Sequence, residues 1–368
     1  MVVSSEIEEL RRRKIEHIKV TLLEDVQYKI STWFEDIVLI HNPLPEIDYD
    51  KINTCTKLFN RSFNYPLLID SITGGISLAK NINEKLAELA AKYNIPISCG
   101  SQKSILMNKE LLNTYKVIKE VCPDCYLIGN IGAHDLIAKS KEIVGELIST
   151  INADALAIHL NPLQEVIQTG GHISYANIID AIRNVVDAVD VPVIVKETGA
   201  GISMKVARIL ESVGVSAINI AGAGGTNWAL VEAHRSLYRN NRFLAEIAKT
   251  FSTWGIPTAA SLIEVLSVVN IPVIASGGIR NGIDVVKSLV LGAKMAGLAH
   301  PFIKEYFRGP THLERLIDKL IFEIKTTMFL VGAKDVPSLK NAEYVIIGNL
   351  LQWIKWRGLY NKWIRTVS

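Results

Sequence analysis

Eight short runs of apolar, largely β-branched residues recur along the chain, at 66–71, 95–99, 125–130, 154–159, 191–196, 216–221, 272–276 and 294–299. Each is close to continuously apolar, as a strand covered on both faces must be; a strand with one wet face would alternate. Between the runs lie amphipathic stretches. Ile82, Leu86, Leu89 and Tyr93 fall at i, i+4, i+7 and i+11, which draws one face of a helix. Strand then helix, eight times over, is the unit count of a closed (β/α)8 barrel, and the length suits one. The expected fold is therefore α/β: a single (β/α)8 barrel domain over residues 1–368, in which residues 1–60 form an N-terminal helical extension.

Three features sit outside that rhythm. Successive runs start 22 to 37 residues apart, except for the 56 residues from Ser216 to Pro272, an excursion long enough to suggest a working loop or lid. Near the C-terminus, Trp353, Trp356, Tyr360 and Trp363 at i, i+3, i+7 and i+10 predict an aromatic stripe on one helix face, docked on the barrel or buried in a subunit interface. At the other end, Ser5 with Glu8 predicts a capping box opening a helix. The basic run Arg11, Arg12, Arg13 and Lys14 that follows reads, on charge alone, as a solvated helix face.

Composition narrows the class. Hydrophobic residues make up 49% of the chain, which raises the question of a membrane, but the longest uncharged stretch, 212–231, is interrupted by Gly214, Gly222, Gly224 and Gly225. A spanning helix needs about 20 predominantly apolar residues, and this is glycine loop. Glu6, Glu8 and Glu9 stand where a signal peptide carries positive charge. Forty basic against 37 acidic residues leave +3, no field for a nucleic-acid partner. A cytoplasmic protein with neither membrane nor nucleic-acid partner is expected. Cys122-Pro-Asp-Cys125 has metal or redox spacing, yet the nearest further ligand, His134, stands alone, so two reduced thiols at the start of a strand are expected.

Barrel enzymes work at the C-terminal ends of their strands. In this chain those ends turn polar together, from Ser71-Ile72-Thr73 after the first run to Ser276-Gly277-Gly278-Ile279-Arg280 after the seventh. Gly277 and Gly278 let backbone N–H groups approach an anion ahead of a helix N-terminus, and Gly297 after the eighth run suits a second close approach. Lys196 ends an otherwise apolar strand, where an unpaired ammonium is costly, so it faces either a Schiff-base substrate or an anionic cofactor ring. A phosphate cradle two strands from that lysine points to flavin mononucleotide (FMN). A two-glycine dinucleotide fingerprint is absent.

Arg13-Lys14-Ile15-Glu16-His17, Thr73-Gly74-Gly75, Gly100-Ser101-Gln102, His159-Leu160-Asn161-Pro162-Leu163-Gln164-Glu165, Gly224-Gly225-Thr226-Asn227-Trp228 and Ser276-Gly277-Gly278-Ile279-Arg280-Asn281-Gly282 together resemble type 2 isopentenyl-diphosphate isomerase, its archaeal members above all. The resemblance implies reversible 1,3-allylic isomerisation of isopentenyl diphosphate to dimethylallyl diphosphate. It implies reduced FMN, Mg2+, NADPH as reductant, and a homotetramer or homo-octamer. Carried over by motif, Ser71, Ile72, Thr73, Ser101, Asn130, Lys196, Thr226, Gly278, Ile279, Arg280, Ala296 and Gly297 would hold the flavin. Arg13, Lys14, Ser101, Gln102, His159, Asn161 and Gln164 would hold the diphosphate substrate, and Glu165 the metal. The basic run then becomes a pair of diphosphate ligands, and no side chain beyond the flavin need be catalytic, with His159 and Gln164 in support.

Three positions depart from that pattern: Lys103, where the family has arginine, Asn219, where it has an acid, and Ala221, where it has a hydroxyl. Two other readings stay open on the residues: an FMN-dependent barrel oxidoreductase of the hydroxy-acid oxidase type, and a non-catalytic flavin-binding protein.

Overall fold

A computed structural model describes residues 2–137 and 141–364. Each expected run overlaps one strand of a closed parallel barrel, three of which extend one or two residues past it: β1 (Leu67–Ile69), β2 (Ile97–Ser98), β3 (Leu127–Gly132), β4 (Ala155–Leu160), β5 (Val193–Glu197), β6 (Ala217–Asn219), β7 (Val273–Ser276) and β8 (Met295–Leu298). The ring closes where β8 pairs with β1 in the register Gly297 to Leu68.

Period-two alternation sorts the strand side chains into two cores. Leu68, Ile128, Ala155, Ala157, Ile194, Ala217, Ile274 and Met295 fill the barrel interior, while Leu67, Ile69, Leu127, Leu156 and Ile158 join the larger core under the helices. That double burial is why the runs read as continuously apolar. Leu58 and Phe63, from the antiparallel hairpin of Thr56–Leu58 and Arg61–Phe63, belong to the inner cluster, and Phe63 meets Tyr126 edge-on at 5.7 Å. The hairpin therefore seals the end at which the strands begin. The opposite end is left for the polar residues.

The N-terminal helix, Val2–Leu23, lies along that open end and packs through Val20 against Leu230 and Val231. It begins ahead of Ser5, which lies inside the helix and not at its cap: no Gly or Pro interrupts the residues before it. Strand Ile37–Leu39 pairs antiparallel with Tyr344–Ile346, tying the extension to the last part of the chain.

The long excursion after β6 is a helical hairpin, Trp228–Tyr238 and Arg242–Thr250, and not an open loop. Asn227 and Asn241 cap its helices, their side chains accepting from Leu230 N at 3.1 Å and Leu244 N at 3.0 Å. Ala229, Ala233, Ala245 and Ala248 bury together and let the two helices approach closely. The C-terminal stripe is also corrected. Gly358, at φ 71°, ends the helix Gly348–Trp356, and a new turn Tyr360–Trp363 follows. Trp353 and Trp363 dock on the barrel by donating to Glu264 Oε1 and Ser267 Oγ, whereas Trp356 is 86% exposed.

Cys122 and Cys125 form a disulfide, contrary to the expected pair of free thiols. The helix Asn113–Val121 stops at Cys122, and the Pro123-Asp124 turn brings the two Cα atoms to 5.3 Å, within bonding range.

Candidate active site

The strand ends converge on a cavity of about 290 Å3 at the barrel mouth, roofed by the N-terminal helix. Most of the residues singled out from the sequence line it: Ser71, Ile72, Thr73, Ser101, Asn130, His159, Asn161, Gln164, Glu165, Lys196, Thr226, Gly278, Arg280 and Gly297, with Arg13 and Lys14 from the helix above. Gln102, Ile279 and Ala296 do not. Gln102 is fully buried, donating to Leu147 O at 2.9 Å and accepting from Asn130 N at 2.9 Å. It braces the loop after β2 against β3, so its assignment to substrate is corrected to a structural one.

A chain of hydrogen bonds crosses the floor. Ser98 Oγ and Ser71 Oγ are 2.7 Å apart, Asn130 Nδ2 donates to Ser71 Oγ at 2.8 Å, and Asn130 Oδ1 lies 2.8 Å from His159 Nδ1. Asn130 is thus the acceptor for an Nδ1–H, which leaves Nε2 of the neutral ring as the acceptor. Burial, and then the Lys196 charge, push His159 down to about 3, so the ring is neutral in ordinary buffers.

Lys196 is buried and donates one hydrogen bond, to Glu197 O at 3.1 Å, with the Asp70 carboxylate 3.9 Å away. Asn219 explains itself here: its amide donates to Asp70 Oδ2 at 3.0 Å and accepts from Ser276 Oγ at 2.5 Å. An acid at that position would face Asp70 as a like charge. Glu197 accepts from Thr198 N and Gly199 N, both at 2.6 Å, and from Ala200 N, fixing the loop after β5, and burial raises its carboxyl to about 7.

On the roof, Arg13 is tied by no hydrogen bond or ion pair among the described residues, although burial lowers its pKa and the charges of Glu165, Glu232 and Asp135 oppose that shift. Lys14 is different. Its ammonium donates to Gly74 O, to Ser101 O at 3.2 Å and to Tyr115 OH at 3.2 Å, and burial lowers it to about 7. It pins the helix to the ends of β1 and β2.

Sequence reasoning passed over His17 and Glu232. His17 lines the cavity, and its Nε2 is 2.8 Å from Glu232 Oε1, which also accepts from Gln164 Nε2 at 3.4 Å. Burial raises the Glu232 carboxyl, but His17 and Arg235 outweigh it and the net shift is downward. The spacing 228, 232, 235 on one helix was the available signal.

The residues present fit a flavin phosphate and ring. Gly277 and Gly278 have φ of 98° and 72°, and a Cβ on Gly278 would come within 2.5 Å of Gly224 O, so the loops after β6 and β7 can lie together only as glycine. The helix Gly282–Leu291 follows that loop, with its first N–H groups already donated to the Glu323 and Asn281 side chains, so the anion cradle falls to the glycine loop itself. Lys196, with one acceptor for three hydrogens, calls for an electron-rich neighbour. Glu165 fits a magnesium ligand: Oε2 accepts from Gln168 Nε2 at 2.6 Å and His172 N at 2.7 Å, while Oε1 accepts from Asn161 Nδ2 at 3.0 Å and keeps acceptor capacity on a cavity-lining carboxylate.

A (β/α)8 barrel with a glycine loop after β7 that fits a phosphate and a buried lysine at the end of β5 is the arrangement of an FMN-type barrel enzyme. The FMN-dependent dehydrogenase family model matches residues 159–346. Solved structures with this fold include a mandelate oxidase with an FMN adduct (TM-score 0.62, 17% identity, 93% of this chain and 100% of that one) and a flavocytochrome b2 with benzoylformate (0.62, 16%, 92% and 83%). At such identities the likeness is one of fold. Isopentenyl-diphosphate delta-isomerase of Methanothermobacter thermautotrophicus is 43% identical over 95% of this chain and 97% of its own, and that of Pyrococcus abyssi 42% over 96% and 97%. The chain belongs to the isopentenyl-diphosphate delta-isomerase family.

Proposed function

We propose that the protein interconverts isopentenyl and dimethylallyl diphosphate with reduced FMN and Mg2+, in the cytoplasm, with NADPH as the reductant. What carries this reading is the pairing in one cavity of an untied cation above, Arg13, with a buried lysine below, Lys196, in a chain 43% identical to an enzyme bearing that activity's name.

The division of labour follows from the residues. Arg13, whose five donors meet no acceptor among the described residues, can offer them to a diphosphate. Lys14 and Ser101 would hold the same group, and Lys14 also fixes the helix from which Arg13 projects. Glu165, held square by three donors, would share a magnesium ion with phosphate oxygens and waters. Ser71, Ile72, Thr73, Asn130, Thr226, Arg280 and Gly297 would seat the flavin. Reduced FMN supplies an electron-rich ring that steadies cationic character in the alkene and a ring nitrogen that can carry the proton. Lys196 favours negative charge on that ring. His159 stays neutral and oriented by Asn130, while Glu232 aims His17 and Gln164 at the cavity. The N-terminal helix excludes water, so remote diphosphate contacts can stabilise the reacting state.

A homotetramer or homo-octamer is part of the same reading. Ile173 and Phe243, each 74% exposed, and Trp254 at 62% are apolar surface that such an assembly would cover. Incubation with isopentenyl diphosphate, Mg2+ and chemically reduced FMN should yield dimethylallyl diphosphate, followed by proton NMR. Absence of both product and solvent-proton exchange would refute the reading.

A further inference from the structure

Beside the cavity, the helix after β2 (Lys103–Met107), the short helix after β3 (Ala133–Ile137) and the segment after Glu165 bring together four groups that the isomerase reading does not use as a set: Lys103, His134, Asp135 and His172. One ligand atom from each of His134, Asp135 and His172 lies within 4.8 Å of the other two. The His134 and Asp135 side chains are 6% and 8% exposed, and neither ring nitrogen of His134 has a hydrogen-bond partner, although Nε2 is 3.3 Å from Asp135 Oδ1. Buried polar atoms left without partners are rare and costly. The His134 and His172 rings stack at 4.7 Å.

Gly132 makes the arrangement possible. A Cβ there would come within 2.9 Å of His134 Cε1 and 3.0 Å of Asp135 Oδ2. A cation already sits among these atoms: Lys103 Nζ is 2.9 Å from Asp135 Oδ1 and 3.1 Å from His172 Nε2. We propose that His134, Asp135 and His172 form a binding site for a transition-metal dication such as Zn2+, whose place the Lys103 ammonium takes here.

The donor set decides the metal. Two imidazoles and one carboxylate suit Zn2+, Co2+ or Ni2+, while Mg2+ prefers oxygen alone. Three protein ligands leave one coordination position open to water or an anion. Entry is from the surface at exposed His172, and Lys103, which also lines the active-site cavity, can swing into it when displaced. The site adjoins Glu165 without sharing it, because the His172 backbone N–H already occupies Glu165 Oε2 at 2.7 Å.

The test is a Co2+ titration followed by visible absorption, with excess Mg2+ present to fill oxygen sites. A Cys55→Ser background removes the one exposed free thiol among the described residues. One Co2+ per chain should bind with low-coordination d–d bands, and Zn2+ should erase them. His172→Ala, at an exposed position where folding is not at stake, should weaken binding by more than the about 10–100-fold that losing an outer-shell partner costs. Lys103→Met should tighten it at least about tenfold, since a positive charge at contact distance no longer opposes the dication. Unchanged affinity in either variant, or no bands in both the Cys55→Ser protein and its Lys103→Met variant, would overturn the proposal.

Discussion

Glu165→Gln removes one charge from a carboxylate whose surroundings define the consequence. Gln168 Nε2 and His172 N both donate to Oε2, so the new amide must keep its carbonyl there, and its NH2 then faces the Asn161 Nδ2 donor. One hydrogen bond is lost, at about 1 kcal/mol, and two lose charge assistance, at about 1 kcal/mol each. A destabilisation of about 2–3 kcal/mol, a fall of several degrees in Tm, is expected, with the fold and flavin absorbance retained. The effect on the metal is larger. Glu165 is the proposed carboxylate for Mg2+, and its loss should raise the Mg2+ concentration for half-maximal isomerisation by more than about 10–100-fold, the cost of an outer-shell change. The assay is isomerisation rate against Mg2+, with the flavin spectrum recorded on the same samples. Unchanged Mg2+ dependence would put the metal elsewhere, and loss of flavin together with activity would make Glu165 structural.

The purified protein should be yellow and hold one FMN per chain, released on denaturation; a protein that stays colourless after incubation with FMN would refute the cradle after β7. Arg13→Ala should raise KM with little change in Tm, because no hydrogen bond or ion pair among the described residues holds the guanidinium, and steady-state kinetics with a thermal melt tests both halves. Lys14→Met should raise KM and also lower Tm, since Gly74 O, Ser101 O and Tyr115 OH lose their donor. Its linkage has a definite sign: with Lys14 lowered to about 7 in the fold, the unfolded chain binds the extra proton between pH 7 and 10.5, so wild-type stability should rise with pH across that window relative to Lys14→Met. Denaturant melts at several pH values read it. His159, lowered to about 3, acts the same way at lower pH, its contribution to stability being lost as pH falls from 6.5 toward 3.

The barrel was legible because burial on both faces writes itself into the sequence as continuous apolar runs, and all eight coincide with a strand to within one or two residues at its end. Polar residues at strand ends were legible for the same reason: they interrupt those runs at one end. Features set by a single backbone event were not. Gly358 breaks an aromatic pattern that is periodic on paper, and the Pro123-Asp124 turn joins two cysteines that spacing alone left apart. Gln102 shared a motif with Ser101, yet neighbours on a loop point opposite ways, one into the cavity and one into the core. Glu232 stayed hidden because a carboxylate on an amphipathic helix reads as solvated until the N-terminal helix is laid across it. Asn219 looked like a missing acid until Asp70 appeared opposite.

The central claim is that a redox cofactor serves a reaction with no net redox change. Substrate and product stand at one oxidation level, so no hydride can be consumed, yet the proposed reaction calls for an electron-rich ring, which Lys196 would favour. The decisive measurement is an anaerobic turnover count after a single stoichiometric reduction of air-oxidised holoenzyme by dithionite. Oxidised enzyme should be inactive, and the once-reduced enzyme should convert many equivalents of isopentenyl diphosphate without further reductant, NADPH serving equally as the primer. Full activity in the oxidised enzyme, or consumption of one NADPH per turnover, would contradict the account and leave a hydride-transferring barrel enzyme in its place.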